Sequence, residues 1–148
     1  MIITVATPSD LDALAGLERD AFVDRRWSRA AWAEAVSSAR GQVLVARDPV
    51  AVGVIALTVV EDVADLDRLA VDTAHRRSGI GDALLSRGLT AVRAAGAQRV
   101  LLEVENTNAA ARALYTARGF VDIGTRRHYY GPGRDAVIME RTWNEGTA

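Results

Sequence analysis

The residues Arg76-Arg77-Ser78-Gly79-Ile80-Gly81 stand where an apolar run gives way to a helical pattern. The two glycines leave no Cβ in the path of a ligand, and a helix starting here turns free N–H groups and the positive end of its dipole outward. With Arg76 and Arg77 alongside, this is an anion site suited to a pyrophosphate or a 3′-phosphate. A loop that only turns the chain has the same composition. The Walker pattern would need a Gly-Lys-Ser/Thr ending, and the Rossmann fingerprint a third spaced glycine with an acidic residue after the next strand; neither is present. Asp82, in the first helical turn, would repel phosphate but suits the dipole, so its carboxylate is expected to point away.

A second group lies downstream. Asn108 and Tyr115 share a helix face with Ala111 between them, about 10 Å apart along the axis. A linear arm bearing amides could run along that face, with Asn108 bonding to it, Ala111 as a shallow floor and Tyr115 at its far end. Read alone, Tyr115 is more often a half-buried core aromatic, and Asn108 a helix cap or a surface residue. Glu103 ends an apolar strand and shares a face with Leu101 and Glu105. Burial and the nearby Glu105 are expected to raise its pKa toward that of a general base, although an isolated glutamate here would be a solvated edge residue.

Regular elements must hold these groups. Residues 2–6 read as a strand, and Thr7-Pro8-Ser9-Asp10 as a turn that caps a helix carrying Leu11, Leu14 and Leu17. Ser28 caps a second helix expected to run to about Arg40 and to be closed by Gly41. Strands over 43–46 and 50–60 flank a turn at Arg47-Asp48-Pro49. A strand over 64–71 leads through a loop at 72–78 into the best-marked helix, 79–95, with Leu84, Leu85, Leu89 and Val92 in one stripe and Gly96 at its end. A strand over 99–104, a helix over 107–118 and strands over 120–124 and 136–141 follow. The last two are joined through 126–134, and 143–148 forms a loose tail. The pattern predicts an α/β (α+β) fold, a mixed, mostly antiparallel twisted sheet flanked by helices.

The 148 residues fit a single domain over 1–148. With 18 basic and 19 acidic residues the net charge is -1, so no global field draws the chain to nucleic acid or to an anionic membrane. There is no cysteine, which removes disulfides, thiolate metal sites and thiol catalysis. The start lacks signal-peptide character, and the longest apolar run is too short to span a bilayer. A cytoplasmic protein without metal is expected.

Taken together these pieces resemble the GNAT superfamily of acetyl-CoA-dependent N-acetyltransferases, and within it the RimI type, which acetylates the N-terminal alanine of a ribosomal protein. The likeness rests on Leu69-Ala70-Val71-Asp72, the blocks at 76–85 and 102–104, Asn108-Ala109-Ala110-Ala111, Ala113-Leu114-Tyr115, Gly119-Phe120, and the blocks at 126–130 and 135–139. It implies that acetyl-CoA is the cosubstrate. The backbone of Leu69, Ala70 and Val71 would pair with the pantetheine arm, with the Val71 N–H meeting the developing oxyanion. Arg77, Ser78, Gly79, Ile80, Gly81 and Asp82 would hold pyrophosphate, and Asn108 the arm. Glu103 becomes the proton acceptor and Tyr115 the proton donor. Trp27, Glu105, Tyr129, Tyr130 and Asp135 are candidates for an acceptor groove that takes a protein or peptide N-terminus, possibly that of a ribosomal protein. Two positions depart from the family pattern: Glu105, usually Arg, and Arg26, usually Pro. Glu105 would favour a cationic amine or a basic peptide. Alternatives are a GNAT enzyme acting on a small amine or an internal lysine, and a non-catalytic acyl-CoA-binding module.

Overall fold

A computed structural model describes residues 1–143; of the tail expected over 143–148, Trp143 packs against the core and its N–H donates to the Gln98 carbonyl at 3.2 Å, and the rest lies outside the described residues. The strands β1 (Ile2–Val5), β2 (Gly41–Arg47), β3 (Ala51–Val60), β4 (Val63–Val71), β5 (Arg99–Glu105), β6 (Val121–Gly131) and β7 (Arg134–Thr142) form one sheet in the order β1-β2-β3-β4-β5-β7-β6. Every pairing is antiparallel except β4 with β5. The helices are α1 (Leu11–Ala21), α2 (Arg29–Ser37), α3 (Ile80–Ala94) and α4 (Ala109–Ala117).

The sheet is covered on both faces. On one, Leu84, Leu85 and Val92 of α3 pack with Ile55, Leu57, Val100 and Leu102. On the other, Leu14 and Leu17 of α1 and Trp32 of α2 close over Val45 and Val54. This explains the long apolar run in β3: a strand with a helix on each face has no solvent side, so alternation is lost. Thr7 and Asp10 form a capping box ahead of α1, and the Ser28 hydroxyl accepts from the Ala31 N–H to start α2.

Two expected boundaries move. Helix α2 ends at Ser37, short of Arg40, and Gly41 opens β2; a Cβ there would lie 2.6 Å from the Ala35 carbonyl, so the glycine permits a close approach. The segment 126–134, expected as a connection, is mostly strand. Arg126 pairs with Ala136 and Gly131 with Arg134, so four residues of β6 face one of β7, and His128 takes a φ of 56° inside this bulge.

The single parallel contact shapes everything that follows. Strands β4 and β5 pair only at Val63, Ala64 and Asp65 against Arg99, Val100 and Leu101. Past Asp65 they diverge, leaving a wedge in the middle of the sheet.

Candidate active site

The wedge opens into a cleft of about 870 Å³. Asp65 to Leu69 of β4 form one wall, Leu101 to Glu105 of β5 the other, and Asn108, Ala111 and Tyr115 the α4 side. Beyond Asp65 the β5-facing edge of β4 has no strand partner, so its polar backbone groups are available to an extended ligand. Leu69, Ala70 and Val71 occupy that length, and Leu69 lines the cleft.

The loop of Arg76 to Gly81 lies outside the cleft lining but adjoins it. A Cβ on Gly81 would sit 3.7 Å from both Leu114 of α4 and Val71 of β4. Gly79 caps α3 with a φ of 84° and no side-chain hydrogen bond, and a Cβ there would meet nothing within 4 Å. The first N–H groups of α3 therefore have neither an intrahelical partner nor a side-chain cap, beside open space. Arg76, Arg77 and Ser78 are exposed, and Arg76 Nε reaches back to the Val71 carbonyl at 3.3 Å. Asp82 is drawn aside as expected. Arg118 at the end of α4 grips both its oxygens at 2.6 Å, and this bond holds its carboxyl below the usual range. These features fit a pyrophosphate at the loop and a pantetheine arm along β4.

Asn108 is the N-cap of α4: its Oδ1 accepts from the Ala111 N–H at 3.2 Å. The cap reading and the contact reading are compatible, because the bond fixes the amide and leaves its N–H₂ to donate toward the cleft. Tyr115 is 8% exposed and stacks edge-on with Phe120 at 5.7 Å. Burial, with a smaller contribution from Tyr130, pushes its phenol up to about 12. It holds its proton throughout the physiological range.

Glu103 lines the same cleft as Tyr115 and lies 3.2 Å from Arg126. The Tyr129 hydroxyl also hydrogen-bonds to it, which raises the Tyr129 pKa. The like charge expected from Glu105 is not free to act, since Arg134 binds both oxygens of Glu105 at 2.8 and 3.0 Å and lowers its pKa. Glu105 is thus an ionised carboxylate held in a bidentate pair, so an acceptor would meet it together with the Arg134 guanidinium. Trp27, Tyr129 and Tyr130 do line the cleft, as does Glu105. Asp135 does not. Its carboxylate accepts from the His128 N–H at 2.9 Å and its carbonyl from Asn106, so it braces the bulge that carries the two tyrosines. Arg26 turns back to the Phe22 and Arg19 carbonyls at the end of α1.

Several cleft residues escaped sequence reasoning: Asp24, Arg25, Asp65, Asp67, Arg68 and Arg134. All 18 basic side chains are arginines, whose forked guanidinium suits paired carboxylates. One signal was available. Glu18 continues the stripe of Leu11, Leu14 and Leu17 into the core, where it is 1% exposed, bonds Arg68 at 3.1 Å and accepts from the Trp27 N–H at 3.0 Å. A carboxylate on a core stripe calls for a buried cation. Among the described residues no group of three or more potential metal ligands occurs, and no helix is long and apolar enough to cross a membrane.

Comparison with known proteins agrees with this geometry. The family described as Acetyltransferase (GNAT) matches residues 11–120. Over 84 residues the chain is 44% identical to the [ribosomal protein bS18]-alanine N-acetyltransferase of Escherichia coli K12, covering 55% of this chain and 57% of that protein. The match thus spans little more than half of the relative's length. The crystal structure of the ribosomal-protein-S18-alanine N-acetyltransferase from Escherichia coli superposes with a TM-score of 0.86 at 31% identity, over 95% of this chain and 92% of that one. A putative acetyltransferase from Salmonella typhimurium, solved with its cofactor acetyl-CoA, shares the fold with a TM-score of 0.84 at 24% identity, over 98% of this chain and 95% of that one.

Proposed function

The chain belongs to the GNAT acetyltransferase family, and from that premise we propose that it moves an acetyl group from acetyl-CoA to the N-terminal α-amine of a protein or peptide, a ribosomal protein being one candidate, in the cytoplasm. One observation carries the reading: the wedge between β4 and β5 brings a carboxylate, Glu103, and a buried protonated phenol, Tyr115, into one cleft, and an uncapped helix N-terminus adjoins it.

Acetyl-CoA supplies the activated acyl thioester. The exposed edge of β4 at Leu69 to Val71 orients its arm by backbone pairing, and the Asn108 amide donates to it. The α3 terminus with Arg76 and Arg77 takes the phosphates. Glu103 accepts the proton of the incoming amine through water; an α-amine has a reference pKa of about 8, so a modest base suffices near neutrality. Tyr115, kept protonated by burial, gives its proton to the departing sulfur. The two roles fall to separate groups because their surroundings differ: Tyr115 is buried among apolar side chains, whereas Glu103 is held beside a guanidinium.

The test is CoA release from acetyl-CoA with three acceptors: a peptide beginning with alanine, the same peptide blocked at its α-amine and carrying an internal lysine, and a polyamine. Release with the first alone is expected. Release with either of the others reassigns the acceptor, and acetyl-CoA binding without release on any of them leaves a binding module.

A further inference from the structure

At the acceptor end of the cleft, three stretches distant in sequence converge on one side chain. Arg134, at the start of β7, donates through Nη1 to Asp24 at 2.6 Å and to the Tyr130 carbonyl at 3.2 Å, and grips Glu105 through Nε and Nη2. Asp24 belongs to the connection 22–28 between α1 and α2, Tyr130 to the bulge of β6, and Glu105 to the end of β5. The same connection is tied a second time. The Arg25 guanidinium lies 4.2 Å over the Tyr129 ring and bonds the Tyr129 carbonyl. Its inner side rests on Arg68 of β4, which bonds the Arg25 carbonyl and sits 4.9 and 4.8 Å from the Phe22 and Trp27 rings. The loop is therefore anchored to β4 on one side of the wedge and strapped to the β6–β7 hairpin on the other.

We propose that Arg134 is a positioning residue that sets the aperture of the acceptor mouth by strapping the 22–28 connection to the β6–β7 hairpin, so that the cleft admits a narrow chain end. This rests on the acceptor reading above. Arg134 acts through the loop and the hairpin and touches no reacting atom. Its guanidinium pairs with both Asp24 and Glu105, so neither carboxylate is free of a partner at the mouth and both are held in the strap. The Asp24 bridge is partly exposed, with side chains 41% and 43% accessible, so salt weakens it.

The strap can be tested in the full-length protein without any acceptor, by the rate of tryptic cleavage after Arg25 and Arg26. Asp24→Asn should speed that cleavage about threefold and Arg134→Gln about tenfold, since the first loses one exposed charge pair and the second a bidentate pair as well. In steady-state assays with an alanine-initiated peptide, both variants should raise the peptide KM, Arg134→Gln more than Asp24→Asn, while leaving kcat and the acetyl-CoA KM within about twofold. Asp24→Asn should have no further effect in the Arg134→Gln background, and Arg134→Lys should recover part of the loss. Unchanged cleavage in Asp24→Asn, a substitution at the surface, overturns the strap even if Arg134→Gln fails to fold. Equal rises in the KM of both substrates also overturn it, by making Arg134 a general support. If the peptide is not acetylated at all, the acceptor reading falls, and the cleavage rates still decide the strap.

Discussion

Toward α3 and α4, the cleft and the loop that adjoins it offer backbone and small side chains: the free edge of β4 and the floor at Ala111 in the cleft, the turn at Gly79 and the close pass at Gly81 beside it. Where the cleft meets residues 22–28 and the β6–β7 hairpin, its walls are arginines, aromatic rings and carboxylates drawn from across the chain. The helix starts at the first end need only neighbouring residues to form, and the sheet adds the free edge of β4 where β5 diverges. The second exists only when remote side chains meet, the Asp24 to Arg134 bond joining residues 110 apart in sequence. The difference suits a cosubstrate that does not vary and an acceptor that does, because an ion-pair network is retuned by single substitutions while a strand edge is not.

Removing the phenol is the harshest way to test the boundary between the two ends. Tyr115→Phe is expected to lower kcat about 10³-fold with the acetyl-CoA KM unchanged, as befits a general acid; a variant with normal turnover removes Tyr115 from the mechanism. The pH profile sharpens the same point. A donor must keep its proton, and a phenol raised from 10.0 to about 12 keeps it to higher pH, so no alkaline loss of kcat from this group should occur over roughly pH 9 to 11. A limb centred near 10 would show that Tyr115 is not buried as described.

Next in size is the anchor of the acceptor end. Glu18→Ala leaves the Arg68 guanidinium without its buried partner and should cost about 3 kcal/mol in denaturant unfolding, because a lone charge is left behind. At the cosubstrate end, Gly79→Val forces a β-branched residue to a φ of 84° at a cost of roughly 1 to 3 kcal/mol. Its signature should be an acetyl-CoA KM raised about tenfold with the peptide KM unchanged, the mirror image of Arg134→Gln; a rise in both would dissolve the division drawn here.

The smallest effect is expected at Asp67, whose carboxyl is pushed up by burial against the pull of the Thr58 hydroxyl at 2.6 Å. A raised carboxyl pKa means that the folded state resists ionisation, so at neutral pH the charge lowers stability. Asp67→Asn should raise the unfolding free energy slightly at pH 7, by less than about 1 kcal/mol, with the gain fading as pH falls through the folded-state pKa. A gain that persists in acid would mean that packing, not charge, is responsible.

The cosubstrate end was legible in the residues because its signals are local. A glycine ahead of an apolar stripe marks a helix start, Asn108 marks another, and β-branched runs mark strands; each depends on sterics and hydrogen bonds within a few residues. The bulge in β6 was not, since Arg126 to Tyr130 read as a polar connection until β7 supplied a partner and Asp135 a brace. The partner of Glu105 was missed for a related reason. Its charge was visible, but the arginine that pairs with it lies 29 residues away and nothing near Glu105 announces it.

The order of elements, the glycine-marked start of α3, and the places of Tyr115 on a helix and Glu103 on a strand thus follow from the chain alone, because short-range geometry dictates them. Tertiary structure alone decided that β4 and β5 part after Asp65, that Asp135 braces instead of binds, and which arginine meets which carboxylate. Charge pairing has no period and no direction along a chain. It is settled only when the packed sheet fixes which side chains are within reach.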